Sequence, residues 1–361
     1  MGPELRRRTV IAGAAVAALA SCSAAPSAPV AAVAEKEPPL SHQPGVTTPP
    51  PEFSAFAAFD VADDPADVLT RLEERIAAVH EAGAATVTVA VGASLFDERF
   101  GLAGEKPRLL SSMPAFPNDV LSAADCHGDL LFQIGAPKAA HVDAVLGDLE
   151  KVGLKRRWRM DGFRQENTKT AAGLPSTRNL FGFREGAGNP DPADAPLMER
   201  LVWAEEGEPA WAAGGTYAVV RVIRFAVELW NRDPAARQEQ IVGRHRSDGS
   251  PLAGGPEEAR FDYTADPDGL TTPLDSHIRR ADPRTPASEQ HRILRRSYSY
   301  RRGEGDQGLI FVCFQRDPEQ GFAATQRRLA GEALDHYVLP FGGGYWFVPP
   351  TVAALATVTT G

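Results

Sequence analysis

Cysteine is scarce in this chain: Cys22, Cys126 and Cys313 are the only three in 361 residues. Three thiols cannot build a disulfide framework. No CxxC pair or Cys/His cluster offers the ligand set of a structural zinc site. Positive charge is not in excess either. The formal net charge is −9 and the pI about 5.5, which excludes a general nucleic-acid binder working through a basic surface. No repeat of about 20–50 residues is visible, so the periodic signature of solenoids and propellers is missing. A coiled-coil rod is excluded by 33 Gly and 30 Pro, which break long helices. What remains is ordinary globular composition, 43% hydrophobic and 24% charged, in a chain long enough for two domains or one domain with a duplicated core.

The N-terminus carries Arg6, Arg7 and Arg8, then an apolar run over residues 10–20. Eleven residues reach roughly 16 Å as a helix, about half a hydrocarbon core. The run therefore reads as a signal-peptide core and not a membrane span, and the arginines before it mark a twin-arginine export signal. Residues 1–22 are assigned to this signal. Leu19-Ala20-Ser21-Cys22 resembles a lipobox, which would make Cys22 a lipid anchor; the alternative is ordinary cleavage nearby with Cys22 discarded. Residues 23–52, rich in Ala, Pro and Ser, read as a tether without a core of its own. The expected location is therefore outside the cytoplasm: extracellular, periplasmic or attached to the cell envelope.

Hydrophobic periodicity places a helix over 65–82, a strand over 86–91, a strand over 130–134, a helix over 138–152 and a strand over 158–162. A second series follows: a β-branched strand over 216–225, a helix around Gln238 and Ile241, strands over 293–300 and 309–314, a helix over 318–329 and a closing strand over 345–348. This is an α+β pattern of two halves, residues 53–200 and 201–361, each with an antiparallel sheet and helices on one face. The segments 163–200 and 243–292 read as long loops, and loops of this length in a compact protein usually carry function. Cys126 and Cys313 fall on or beside buried strands, as small hydrophobes or as a disulfide if their geometry allows.

Three segments carry the candidate chemistry. His277 sits in a polar loop with Arg279, Arg280 and Arg284. A neutral imidazole beside several guanidinium groups suits haem, with nitrogen to iron and arginine to the propionates; an incidental histidine in a basic surface loop reads the same way. The run Gly182-Phe183-Arg184-Glu185-Gly186-Ala187-Gly188-Asn189-Pro190 lets backbone approach a flat ligand and holds a carboxylate in a tight turn. It lacks the Lys-Ser/Thr of a P-loop, and a plain glycine-rich turn is the alternative. In Ile293-Leu294-Arg295-Arg296, strand alternation sends the two arginines to opposite faces. An inward Arg295 needs an anionic partner or a developing negative charge, unless both simply decorate a solvated edge.

Taken in order, these segments resemble the dye-decolourising peroxidases, and most of all their exported deferrochelatase/peroxidase branch. Met113-Pro114-Ala115-Phe116, His127-Gly128-Asp129, Gly214-Gly215-Thr216-Tyr217 and Phe341-Gly342-Gly343-Gly344 extend the match over about residues 53–350. The resemblance implies two ferredoxin-like halves of the dimeric α/β-barrel type and one haem b per chain. It places His277 as the iron ligand, Glu185 and Arg295 as distal catalytic groups with Asn189 beside them, Gly186, Ala187 and Gly188 along the haem, and Arg284 at a propionate. Asp335 is the candidate carboxylate for tuning the proximal histidine. The pattern has Asp where this chain has Glu185, one methylene longer, and a misplaced catalytic group is costly.

The implied function is a haem b peroxidase that reduces hydrogen peroxide and oxidises dye-like or phenolic donors. Tyr298, Tyr300, Trp211, Trp230 and Trp346 either relay electrons or pack the core. Removal of iron from haem as substrate and non-catalytic haem binding are the alternatives within the resemblance. An exported solute-binding protein without haem is the alternative outside it. The resemblance also implies a homo-oligomer.

Overall fold

The computed structural model describes residues 42–359. The expected signal segment, Cys22 and most of the tether lie outside these residues. The first half runs β1 (Phe53–Val61), α1 (Pro65–Ala82), β2 (Thr86–Gly92), β3 (Leu130–Ala136), α2 (Ala139–Leu149) and β4 (Leu154–Phe163). Its strands pair antiparallel in the order β4-β1-β3-β2. A small sheet follows: β5 (Gln165–Lys169), β6 (Pro175–Arg178) and β7 (Arg184–Glu185).

The second half contributes β8 (Thr216–Phe225), β9 (Leu294–Arg295), β10 (Tyr298–Gly303), β11 (Asp306–Gln315) and β12 (Val338–Val348). β9 and β10 share one edge of β11, so the order β12-β8-β11-β9/β10 repeats the first half's topology. Two short seams join the halves. Trp346 and Phe347 pair with Gly92 and Val91, while Ser299 and Tyr300 pair with Phe163 and Gly162. The strands thus close into an antiparallel barrel, which removes the free edges of each half. At the second seam a side chain on Gly162 would come within 2.7 Å of the Tyr298 Cβ, so the seam can close only around a glycine.

Helix α1 begins where the sequence marks it. The Asp64 carboxylate accepts from the Ala66 amide, Pro65 occupies the first turn, and Gly83 ends the helix in the left-handed region. Its buried stripe of Val68, Leu69, Leu72 and Ile76 packs on the outer sheet face with Ala55, Ala57 and Phe59. Each such side chain contributes about 1.5–3 kcal/mol when fully buried. The alternate β1 residues, Phe56 and Ala58, face the barrel interior beside Trp158, Tyr298, Tyr300 and Trp346. Trp211 and Trp230 belong to outer clusters, and all five aromatics considered as relays are buried in packed cores.

Several elements differ from the sequence expectation. β1 is too rich in alanine to announce a strand, yet it is buried on both faces. The strand expected over 293–300 breaks at Arg296 and Ser297. The expected helix over 318–329 opens with a π-helical turn, Glu319–Ala323, where the Phe322 amide donates to the Gln315 side chain at 2.8 Å. Residues 42–52, placed in the tether by composition, pack instead against the barrel. Gln43 donates to the carbonyls of Val89 and Pro349 at 3.0 and 2.9 Å, and Val46 is fully buried. Cys126 and Cys313 are buried and both free, so the alternative of a disulfide does not hold. Among the described residues no helix is long and apolar enough to cross a membrane.

Candidate active site

His277 opens a one-turn helix, His277–Ala281, within the long segment between β8 and β9. Arginines clamp that helix in place. Arg279 donates to the carbonyls of Thr272 and Asp266 at 2.9 and 2.8 Å. Arg280 donates to Arg328 and Ala330 carbonyls at 2.8 and 2.7 Å, tying the helix to the chain that leads into β12. That same chain presents Glu332. Both its carboxylate oxygens lie at 2.9 and 3.0 Å from His277 Nδ1, and Glu332 is only 6% exposed. Asp335, the expected partner, instead accepts from the Gly331 amide at 2.8 Å. The carboxylate on the His277 imidazole is Glu332, and the expectation for Asp335 is corrected.

With Nδ1 engaged, Nε2 is the nitrogen left for a ligand bond. Burial pushes the imidazole toward its neutral form, but the charge of Glu332 and its hydrogen bond outweigh burial, and the His277 pKa lies above the ordinary value. A carboxylate on the far nitrogen fixes the tautomer and makes the ring a stronger donor to a metal. His277 also senses the charges of Arg295 and Glu185, so these three residues from separate segments address one region.

A second carboxylate, Glu185, is carried by β7. Glu185 Oε1 accepts from Asn179 Nδ2 at 2.7 Å, while Asn179 Oδ1 takes the amides of Phe181 and Phe183. The longer glutamate is therefore held by its own local partner. Arg295 comes from β9. Its backbone amide donates to Asn189 Oδ1 at 3.1 Å, its carbonyl accepts from Asn189 Nδ2 at 2.7 Å, and its Nη2 donates to the Ala187 carbonyl at 2.8 Å. Asn189 is thus the bracket that fixes Arg295. Gly188 offers its carbonyl to Arg292 at 2.9 Å. Gly186 has φ +100°, and a Cβ there would lie 2.6 Å from the Pro175 carbonyl oxygen.

The remaining walls are cationic. Arg244 is buried, donates to the carbonyls of Gly249 and Glu257, and is pushed down to about 10 by burial, with Arg295 and Arg284 adding to the effect. Arg292 is lowered by burial and by nearby arginines including Arg284. Arg284 Nε lies 3.1 Å from Asp282, and its guanidinium covers the Tyr263 ring at 5.6 Å. Tyr263 Oη is buried with no hydrogen-bond partner among the described residues. This gathering of guanidinium groups calls for anions.

Sequence models of the Dyp-type peroxidase N-terminal and C-terminal domains match residues 43–164 and 176–353. The chain belongs to the Dyp-type peroxidase family. It is similar to the protein named Deferrochelatase of Escherichia coli strain K12, 43% identical over 358 residues that cover 88% of this chain and 85% of that one. Its fold matches DtpA from Streptomyces lividans with a TM-score of 0.77 at 33% identity, over 86% of this chain and 92% of that one. A DyP-type peroxidase from Cellulomonas bogoriensis matches with a TM-score of 0.76 at 33% identity, over 86% and 93% of the two chains. As a member of this family the chain is a haem-dependent peroxidase.

The residues present fit haem. An imidazole with one nitrogen free, a glycine turn with close backbone approach, and arginines lacking enough carboxylates are the donor set of an iron porphyrin with two propionates. Sequence reasoning missed Glu332, Asn179, Arg244 and Arg292. Glu332 lies three residues before Asp335 in the same connection, and nothing in the sequence distinguishes the buried acid from the more exposed one. Replacing the proximal partner, Glu332→Ala, is expected to weaken haem binding about 10–100-fold, whereas Asp335→Ala leaves it within about twofold. Titrating the haem-free chain with haem at the Soret band measures both. Equal losses would return the role to Asp335.

Proposed function

We propose that this Dyp-type peroxidase uses Glu185 and Arg295 on hydrogen peroxide, with His277 as the iron ligand. The observation that carries the reading is three held pairs addressing one region: Asn179–Glu185, Asn189–Arg295 and His277–Glu332. Haem, when bound, supplies the redox chemistry with peroxide and with the electron donor. The chain supplies placement, charge and proton transfer. Glu185 Oε1 is occupied by Asn179, which leaves Oε2 to take the proton of the peroxide and return it to the departing oxygen. Arg295 is fixed through Nε and Nη2 by Asn189 and Ala187. Its Nη1 then faces the charge that grows on that oxygen without reorganising. The Glu332 carboxylate holds the proton on His277 Nδ1 and keeps the ring electron-rich. Gly186, Ala187 and Gly188 give backbone contact to the ring, and Arg284, with Arg244 and Arg292, meets the propionates. The electron donors are bulky aromatics such as dyes and phenols.

A second reading, release of iron from haem with the porphyrin intact, draws support from the relative named Deferrochelatase. It uses the same residues. Stopped-flow mixing of the haem-loaded chain with peroxide tests the first. Arg295→Leu is expected to slow the reaction about 10²–10³-fold and Glu185→Gln about 10²–10⁴-fold. Both variants reacting like the parent would remove these residues from the mechanism. Metal-free porphyrin fluorescence after turnover would favour the second reading.

We also propose export by the twin-arginine route, followed by release or by anchoring through Cys22; this rests on the sequence before residue 42. Replacing Arg6, Arg7 and Arg8 together by Lys is expected to leave the protein in the cytoplasm on cell fractionation. Unchanged export would contradict the assignment.

A further inference from the structure

Strand alternation separates Arg295 from Arg296. While Arg295 turns to the distal loop, Arg296 turns to the other face at the break between β9 and β10, where its amide still donates to Val312 at 2.8 Å. Arg296 is only 5% exposed. Its Nη1 donates to the Thr48 carbonyl, but Nε and Nη2 are buried with no hydrogen-bond partner among the described residues. Arg164 lies in the same region, 7% exposed, donating to the Ser297 carbonyl and to Asn167 at 3.0 Å each. Among the described residues neither guanidinium has a carboxylate at ion-pair distance.

Both arginines line a cavity of about 30 Å³ whose walls also include Pro50, Leu174, Leu294, Gly186, Asn189 and Arg295. Among the described residues no acidic side chain lines it. Burial pushes Arg296 down to about 10, with Tyr298 opposing and Arg164 adding to the effect. Arg164 is lowered by burial, against Tyr298 and Glu185. Two buried cations beside a small space, one of them with two unpartnered N–H groups, are costly unless a negative charge joins them.

We propose that this cavity binds a small inorganic anion of halide size, held by Arg296 and Arg164. The space is on the scale of single waters or ions and excludes organic substrates. The docked segment 42–52 contributes Pro50 to its wall and the Thr48 carbonyl to Arg296. The anion balances the two guanidinium groups and supports the distal loop, since Asn189 and Gly186 are walls of both sites.

The test uses the haem-loaded chain and bromide. Crystals grown in sodium bromide are expected to show an anomalous bromine peak against the Arg296 guanidinium. In solution, Tm is expected to rise saturably with chloride over gluconate at equal ionic strength, because gluconate is too large to enter. The Soret band stays fixed, because a halide on the iron would move it. Arg296→Met is expected to abolish the difference between chloride and gluconate. If that variant does not fold, the bromine peak in the parent chain decides. A cavity without bromine, or equal Tm in chloride and gluconate, overturns the proposal.

Discussion

The site depends on one buried contact, the pair between His277 and Glu332. Each partner comes from a long connection of the second half, one between β8 and β9 and one between β11 and β12. Neither connection has a sheet ladder to fix it. The carboxylate is nearly excluded from water and the imidazole answers it with raised basicity. The clamp of Arg280 on the Arg328 and Ala330 carbonyls brings the two connections to this register. A buried carboxylate left without its partner is strongly unfavourable, so the pair locks the loops as much as it tunes the ring.

The barrel supplies rigidity for the distal groups. Arg295 sits on a strand edge paired to β11, and Asn189 binds both its amide and its carbonyl, so the guanidinium starts from a backbone that cannot rotate. Glu185 sits on the two-residue strand β7, paired to Thr177. Several other sequence phrases are structural supports. Asp129 is fully buried and gathers Val61, Ser94 and Arg99 at 3.0, 2.6 and 2.7 Å. Asp119 forms a buried ion pair with Arg221. These contacts hold loops to strands, which explains why motifs of equal prominence carry such different roles.

Amphipathic elements were legible in the sequence because one buried face repeats at a fixed period. Helix α1 carries its own cap, proline and terminal glycine, and its predicted limits agree with the structure. β1 and the glycine-rich start of β12 were not legible. Their strand character comes from neighbours on both sides and not from propensity. The two halves were legible from the alternation of strands and helices, while their shared strand order was not, because no sequence repeat marks it. For the site, residue types and chain order pointed to His277, Glu185, Asn189 and Arg295. Glu332 escaped because its role depends on burial set by the fold of a distant loop. Arg296 stood next to Arg295 in the sequence, yet only the fold shows that it is buried beside a small cavity shared with Arg164.

The most direct test of the account is resonance Raman spectroscopy of the iron–histidine stretch in the reduced, haem-loaded chain, comparing the parent with Glu332→Gln. If Glu332 draws the Nδ1 proton and makes His277 a strong donor, the band moves to lower frequency in the variant. An unchanged band would show that the pair does not act on the iron ligand and would contradict the central claim.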